Sequence, residues 1–282
     1  MSQITKRQHF VPQFYLRQFT DKTGKLHCYR KKEKKTFSAH PADICFKNYG
    51  YEIENPSGNT RFLLPNEIEK LFATLEGEYS QVLRSVVSKC LASSNGSILM
   101  CTDHEKEVLC SMVSNFLVRN LLAVDSYVDH EATQSLVETD QELRNIDDLL
   151  KSMNLGSAKA FLELAQMKLF LNPAEDGVAR IIIDNLSKLN MSFLVSDSNR
   201  FVTSDCPVGH VIDNDRVVNT RLPLSPYVSV VYSSSEISKQ FHGKVSYISS
   251  HWVNKLNYEY LSWDLPEMII AQSPSDLLQQ NL

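Results

Sequence analysis

The chain has no apolar run approaching the ~20 residues needed to cross a bilayer, no C-x-x-C pair, and only nine glycines in 282 residues. The first absence predicts a chain that does not span a membrane. The second removes the usual zinc-ribbon and dithiol redox spacings. The third weighs against a glycine-rich phosphate cradle, and neither G-x-x-x-x-G-K-[ST] nor G-x-G-x-x-G occurs. G-x-S-x-G and H-E-x-x-H are missing too, so no standard hydrolase or metalloprotease signature stands in the sequence. The opening MSQITKRQHFVPQ lacks the apolar core of a signal peptide. With no secretory signal, the six irregularly spaced cysteines are expected to be reduced thiols in a cytoplasmic protein. A zinc site drawn from His9, Cys28, His40 and Cys45 matches no standard ligand spacing.

What is present is an ordinary globular composition, 43% hydrophobic and 22% charged, which excludes a disordered or collagen-like chain. The length suits a single domain over 1–282. Its charge is uneven. Residues 1–35 hold ten Lys or Arg and two acids, a charge of +8, which leaves −12 on the other 247 residues. The basic stretch Arg30–Lys35 reads either as a solvated hairpin tip or as a contact for a phosphate backbone.

Periodicity divides the chain into a β-rich part (1–62), a helical middle (63–190) and a C-terminal α+β part (191–282). Pro12 can begin a short helix. Residues 25–30 and 36–40 flank the basic tip as a hairpin, and 49–53 read as a further strand. Apolar residues at helical spacing mark a helix from Asn66, a plausible N-cap, to Leu91. Thr102 and Glu105 form a capping-box pattern that opens a second helix over 102–122. Residues 125–151 read as an exposed helix, and 157–171 and 172–189 as two more, with Pro173 in the first turn of the last. Hairpins are expected around 196–199 and 213–215, a buried strand over 228–232, a helix over 250–261 and a short strand over 268–271. Strands at both ends around a helical middle predict an α+β fold, mainly antiparallel, in which the two β regions meet.

Several polar residues fit a pure scaffold poorly. Glu69 and Glu76 share one flank of the 66–91 helix, at the border of its apolar stripe. Arg119 falls near the edge of the next helix's stripe and Asn120 near its centre. A buried arginine needs a partner, which Glu69, Glu76 or Asp205 can supply. Asp205 sits at a strand end before Cys206-Pro207, a frequent place for functional carboxylates and equally for an Asx-turn. His9 stands in an aromatic segment, where it is either a hydrogen-bonded core residue or a base or ligand.

The segment His9-Phe-Val-Pro-Gln-Phe-Tyr-Leu-Arg-Gln-Phe19 resembles the start of a family known as a domain of unknown function, DUF4238. The likeness continues through Leu26–Arg30, Asn48–Tyr51, the helix holding Glu69 and Glu76, Arg119, Thr203-Ser-Asp-Cys-Pro-Val208, Pro223-Leu-Ser-Pro226 and Asn254. After Arg119 that family often has a small residue and proline, where this chain has Asn120-Leu121. The resemblance implies a stand-alone intracellular protein and brings no reaction with it. It places His9, Glu69, Glu76, Arg119 and Asp205 in family-like segments.

Two functions are expected from these residues. In the first, the chain is a metal-dependent phosphodiester hydrolase, a nuclease-like effector of the kind used in phage defence. Glu69, Glu76 and Asp205 would hold Mg²⁺ or Mn²⁺, His9 would act as base or further ligand, and Arg119 would stabilise phosphoryl charge. The basic N-terminal region would hold nucleic acid. In the second, the chain is a non-catalytic binding or sensing module with a protein partner, and the same polar residues tie its α and β parts together.

Overall fold

A computed structural model describes residues 3–120, 128–198, 200–213, 216–262 and 265–278. In chain order the elements are β1 (Arg7–His9), α1 (Gln13–Leu16), β2 (Leu26–Arg30), β3 (Lys35–Ala39), β4 (Phe46–Asn48), α2 (Glu67–Ala92) and α3 (Asp103–Val118). Next come α4 (His130–Thr139), α5 (Gln141–Ser152), α6 (Ala158–Leu171) and α7 (Val178–Leu186). The last third holds β5 (Asn190–Ser196), β6 (Thr203–Ser204), β7 (Gly209–Asp213), β8 (Arg216–Ser225), β9 (Val228–Ser233), β10 (Val245–Ile248), α8 (Ser250–Ser262), β11 (Met268–Ala271) and α9 (Pro274–Leu278).

The fold is α+β, as expected. One sheet has the order β10-β5-β9-β8-β7 and is antiparallel except where β10 runs beside β5. A second has the order β3-β2-β11-β6 and joins the two ends of the chain: β11 inserts between the N-terminal hairpin and β6. A small ladder pairs β1 with β4.

The long apolar stripe of α2 buries Tyr79, Leu83 and Val86 against Leu109, Val113 and Phe116 of α3 and Phe193, Leu222 and Val230 of the large sheet. Burial of this kind, at roughly 25 cal/mol per Å² of apolar surface, is what holds helices to a sheet. Tyr15 of α1 enters the same core, and its hydroxyl lies 2.7 Å from Thr203 Oγ1 and donates to the Pro223 carbonyl at 2.8 Å. One phenol thus connects both sheets. A second apolar cluster gathers Tyr51, Ile68 and Phe72 with Leu164, Met167 and Leu171 of α6.

The structure departs from expectation at five places. Residues 49–53 are not a strand. Tyr49 takes a left-handed φ of 56°, which ends the ladder at β4, and the Tyr51 N–H goes to the Gln8 side chain. The expected helix over 172–189 begins only at Val178. Asn172 Oδ1 instead accepts the Ala174 N–H, and Gly177 passes so close to the Leu169 carbonyl that a Cβ would lie 1.9 Å from it. The stretch expected as one helix over 125–151 is two helices, because Asp140 caps α5 by accepting the Glu142 and Leu143 N–H groups; residues 125–127 lie outside those described. Residues 191–195 and 200–203 do not pair as a hairpin. Arg200 is held by Asp276 at 3.1 Å, and the chain crosses to the other sheet. Finally, α3 ends at Val118, not at residue 122, with Arg119 as its C-cap; residues 121–122 lie outside those described.

The capping box is present. Thr102 Oγ1 accepts the Glu105 N–H at 3.1 Å, and Glu105 Oε2 accepts the Thr102 N–H at 2.9 Å. Glu105 also receives Lys89 Nζ at 2.7 Å, so this cap fastens α2 to α3. Thr102→Ala should lower folding stability by ~1 kcal/mol, seen as a lower urea midpoint at unchanged slope.

Candidate functional site

The site forms where the C-terminal end of α3 meets the N-terminal half of α2 and β1. Helix α3 ends with Arg119 only 2% exposed. Its guanidinium lies 3.7 Å from the centre of the Phe72 ring, and Nη1 donates to Glu76 Oε1 at 2.5 Å. The Tyr51 hydroxyl donates to the Arg119 main-chain carbonyl at 2.7 Å, satisfying an oxygen that a helix end would leave open. Tyr51 is itself placed by Gln8. Gln8 Oε1 accepts the Tyr51 N–H at 2.8 Å, and Gln8 Nε2 donates to Glu52 Oε1 at 2.6 Å.

Glu52 accepts the Asn66 N–H at 3.2 Å. Asn66 stands at the N-cap of α2, as expected, but in a left-handed conformation and without capping the helix through its side chain. Its side chain instead accepts the Thr5 N–H at 2.8 Å and donates to the Gln3 carbonyl at 3.2 Å. The N-terminal segment is thereby pinned to the start of α2, which sets the height of Glu69 and Glu76 along the wall of the site.

His9 ends β1 opposite Phe46, 9% exposed. Burial, and after it the positive charge of Arg119, push its pKa below the ordinary 6.5. The Pro41 and Ala42 carbonyls beside the ring act in the opposite sense. Since Nε2 has no hydrogen-bond partner, Nδ1 is the nitrogen that faces those carbonyls. The neutral ring therefore carries its proton on Nδ1 and a bare lone pair on Nε2.

Glu69 is half-buried, with Oε1 closed off from solvent and without a partner. Burial raises its pKa to about 7, against the opposing pull of Arg119; Glu76 and Glu52 raise it further. The Arg119 Nε–H is also unpartnered, as are both side-chain polar atoms of Asn115, one helical turn earlier in α3. Each such buried orphan costs ~1–3 kcal/mol. Arg119 thus stands beside an acceptor with a bare lone pair and a carboxyl that titrates near neutrality.

Asp205 precedes Cys206, whose Sγ meets the Asn120 side chain. It follows β6, as expected at a strand end, but its carboxylate makes no Asx-turn with the following residues. Oδ1 reaches across to β11 and accepts the Met268 N–H at 3.2 Å. Burial raises its pKa to about 6, and neighbouring Glu267 adds to this. Asn120 Nδ2 lies 3.2 Å from Cys206 Sγ. The Cys206 thiol is pushed up to about 12 by burial and by Asp205, so it remains protonated and a poor nucleophile. The basic tip adjoins this side, where the Lys31 N–H donates to the Glu267 carbonyl at 2.9 Å.

The structure thus brings His9, Glu69 and Glu76 within electrostatic reach of Arg119, and holds Asp205 against β11. Among the described residues, no three His, Cys, Asp or Glu side chains are placed to share a metal ion. The expected ligand set of Glu69, Glu76 and Asp205 does not form such a group among the described residues; Glu76 meets Arg119 and Asp205 meets β11. Sequence reasoning missed Gln8, Tyr51 and Asn115. Asn115 had a legible signal, since it lies four residues before Arg119 and so on the same helical face. Gln8 and Tyr51 had none, because their roles depend on a turn at Tyr49.

Fold and site together define an α+β protein with a buried acid–base cluster around one arginine. Residues 7–275 match the family described as a protein of unknown function (DUF4238), and the chain belongs to that family. No curated protein and no solved structure matches it. Among the described residues no helix is long and apolar enough to cross a membrane.

The raised carboxyl pKa values give a stability prediction. Between pH 4.5 and about 7, folded Glu69 keeps a proton that the unfolded chain has released. Its contribution is therefore full below pH 4.5 and is lost as pH rises through 7. Asp205 behaves alike between 3.8 and about 6. Discounted for the half-exposed face of Glu69, wild type should lose ~1–3 kcal/mol relative to Glu69→Gln from pH 4.5 to 7.5. Urea unfolding at several pH values measures this. A pH-independent difference would mean that folded Glu69 titrates like a solvated carboxyl.

Proposed function

We propose that the chain is a phosphodiester hydrolase, a nuclease-like enzyme acting by general acid–base chemistry at the Arg119 cluster. One observation carries this reading: His9 Nε2, Glu69 Oε1 and Arg119 Nε are buried, close to one charge, and without partners. A network kept only for stability is expected to satisfy its members, because each orphan is costly. Atoms left open at a protein's expense are what a substrate would complete.

The chemistry follows from the side chains. His9 Nε2 takes the proton of the attacking water or hydroxyl. Arg119, held by Glu76 and stacked on Phe72, offers its free Nε–H to a phosphoryl oxygen as charge builds there. Protonated Glu69 gives its proton to the leaving oxygen. The solvated lysines of the β2–β3 tip, joined through Lys31 to the Asp205 side, would hold the nucleic-acid backbone. An effector role, as in phage defence, fits such an activity and rests on it.

Mg²⁺ or Mn²⁺ dependence is the less favoured version, because Glu76 and Asp205 already have partners. The other reading is a binding or sensing module, favoured by one observation: the Glu76–Arg119–Tyr51 connections tie α2, α3 and the N-terminal segment together whether or not anything reacts there.

Purified wild type, His9→Ala and Glu69→Gln would be assayed on single-stranded RNA and DNA, with EDTA and with each metal, after melting curves show all three folded. Cleavage should fall ~10²- to 10⁴-fold in His9→Ala. The rate should rise as His9 deprotonates below pH 6.5 and fall above about 7 as Glu69 ionises. Glu69→Gln should remove the alkaline limb. Binding without cleavage by every folded protein would support the module, and activity only with metal would restore the cation.

A further inference from the structure

A cavity of about 330 Å³ opens between α3, α7, β5 and β9, and none of the candidate residues above lines it. Its floor is apolar: Cys110, Ile183, Leu186, Leu189 and Met191. At the floor stands Tyr232, 1% exposed. Among the described residues the one partner of the Tyr232 hydroxyl is the Cys110 thiol, at 3.7 Å, a long contact in which the phenol O–H can point at the sulfur. Burial raises the Tyr232 pKa well above its ordinary value, so the phenol keeps its proton. The phenolic O–H is therefore a buried donor whose partner is a distant, weak sulfur acceptor, at a wall that Cys110 shares, and a carbonyl oxygen entering the cavity would replace it. A second donor stands at the mouth. His242 Nδ1 accepts the Met191 N–H at 3.2 Å, which leaves the proton of the neutral ring on Nε2.

The mouth is charged but balanced. Lys106 pairs with Asp103 at 2.9 Å and Arg180 with Asp184 at 3.0 Å. Glu107 adds a further negative charge, so the rim attracts no anion. The volume, divided by ~30 Å³ for a water's share of liquid, equals about eleven waters, and lies at the small end of ligand sites.

From this geometry we infer that the cavity is a binding site for a small, uncharged, largely apolar molecule carrying one hydrogen-bond acceptor, such as a carbonyl. The apolar body rests on Ile183, Leu186 and Met191, and the acceptor takes the Tyr232 O–H. The inference is independent of the hydrolase reading, since the two sites share no residue.

The test compares acetophenone with ethylbenzene, which has the same outline and no acceptor. Each is titrated into the full chain carrying ¹³C-labelled isoleucine and methionine methyls. The Ile183 and Met191 methyl signals should shift with both, and acetophenone should bind about three- to tenfold more tightly, the worth of one neutral hydrogen bond. In Tyr232→Phe, which keeps the ring and its packing, the preference should disappear while ethylbenzene binding stays. Three results would overturn the inference: no shift at either methyl, equal affinities in the wild type, or a preference that survives Tyr232→Phe. If the variant does not fold, the wild-type comparison of the two molecules still decides.

Discussion

A guanidinium withdrawn from water is tolerated only if its surroundings replace the lost hydration, and the placement of Arg119 organises much of this molecule. It lies buried on the Phe72 ring, at the edge of the second apolar cluster. Glu76 must therefore sit on the face of α2 that looks inward, and Phe72 one turn earlier gives the flat charge a flat surface. Tyr51 must come up beneath the helix end to satisfy its carbonyl. That in turn requires the chain to leave β4 through the left-handed turn at Tyr49 rather than extend as a strand. Each requirement falls on a different segment, so a single buried charge fixes the relation of the N-terminal ladder to both long helices.

Helix α3 transmits this constraint along its length. Its first turn is locked to α2 through Glu105 and Lys89, and its last turn holds Arg119. Between them, Cys110 lies on the wall of the α7 cavity. A rigid rod fixed at one end and loaded at the other transmits small displacements along its axis, because close-packed cores do not absorb them. The cavity and the Arg119 cluster are thus two places on one element.

How much of this was legible in the sequence follows from the range of the interactions involved. Thr102 with Glu105 is a local rule, read within one helical turn, and it held. The α2 stripe and the N-terminal hairpin are periodic signals and also held. Elements fixed by distant partners were not legible. Residues 196–203 carry a good hairpin pattern, yet Arg200 finds Asp276 and β6 finds β11, neither visible from the local pattern. Pro173 favours a helix start, but the approach of Gly177 to the Leu169 carbonyl sets the start later. The site divides in the same way. Helical phase put Glu69 and Glu76 on one flank of α2 and Arg119 near the edge of the α3 stripe, because that arithmetic depends only on spacing within each helix. It could not choose Glu76 over Glu69 or Asp205 as the partner of Arg119, since that needs the packing of α2 on α3 and the course of β6 and β11.

The remaining question is why the cluster is incomplete. Arg119 uses Nη1 on Glu76 yet leaves Nε open, and His9 directs an unshared lone pair into protein. Glu69 adds an oxygen without a donor, although raising its pKa toward neutrality is itself a cost to the fold when the group ionises. If stability were the only demand, a hydroxyl or amide bridging these atoms would recover several kcal/mol in principle, and apolar replacements could recover as much. The arrangement instead keeps acceptor, proton carrier and cation separate around the end of one rigid helix. That is the condition under which an incoming polar group gains most from being bound, and it distinguishes this cluster from the Lys89–Glu105–Ser85 network of the same helix pair, where Glu105 is fully engaged.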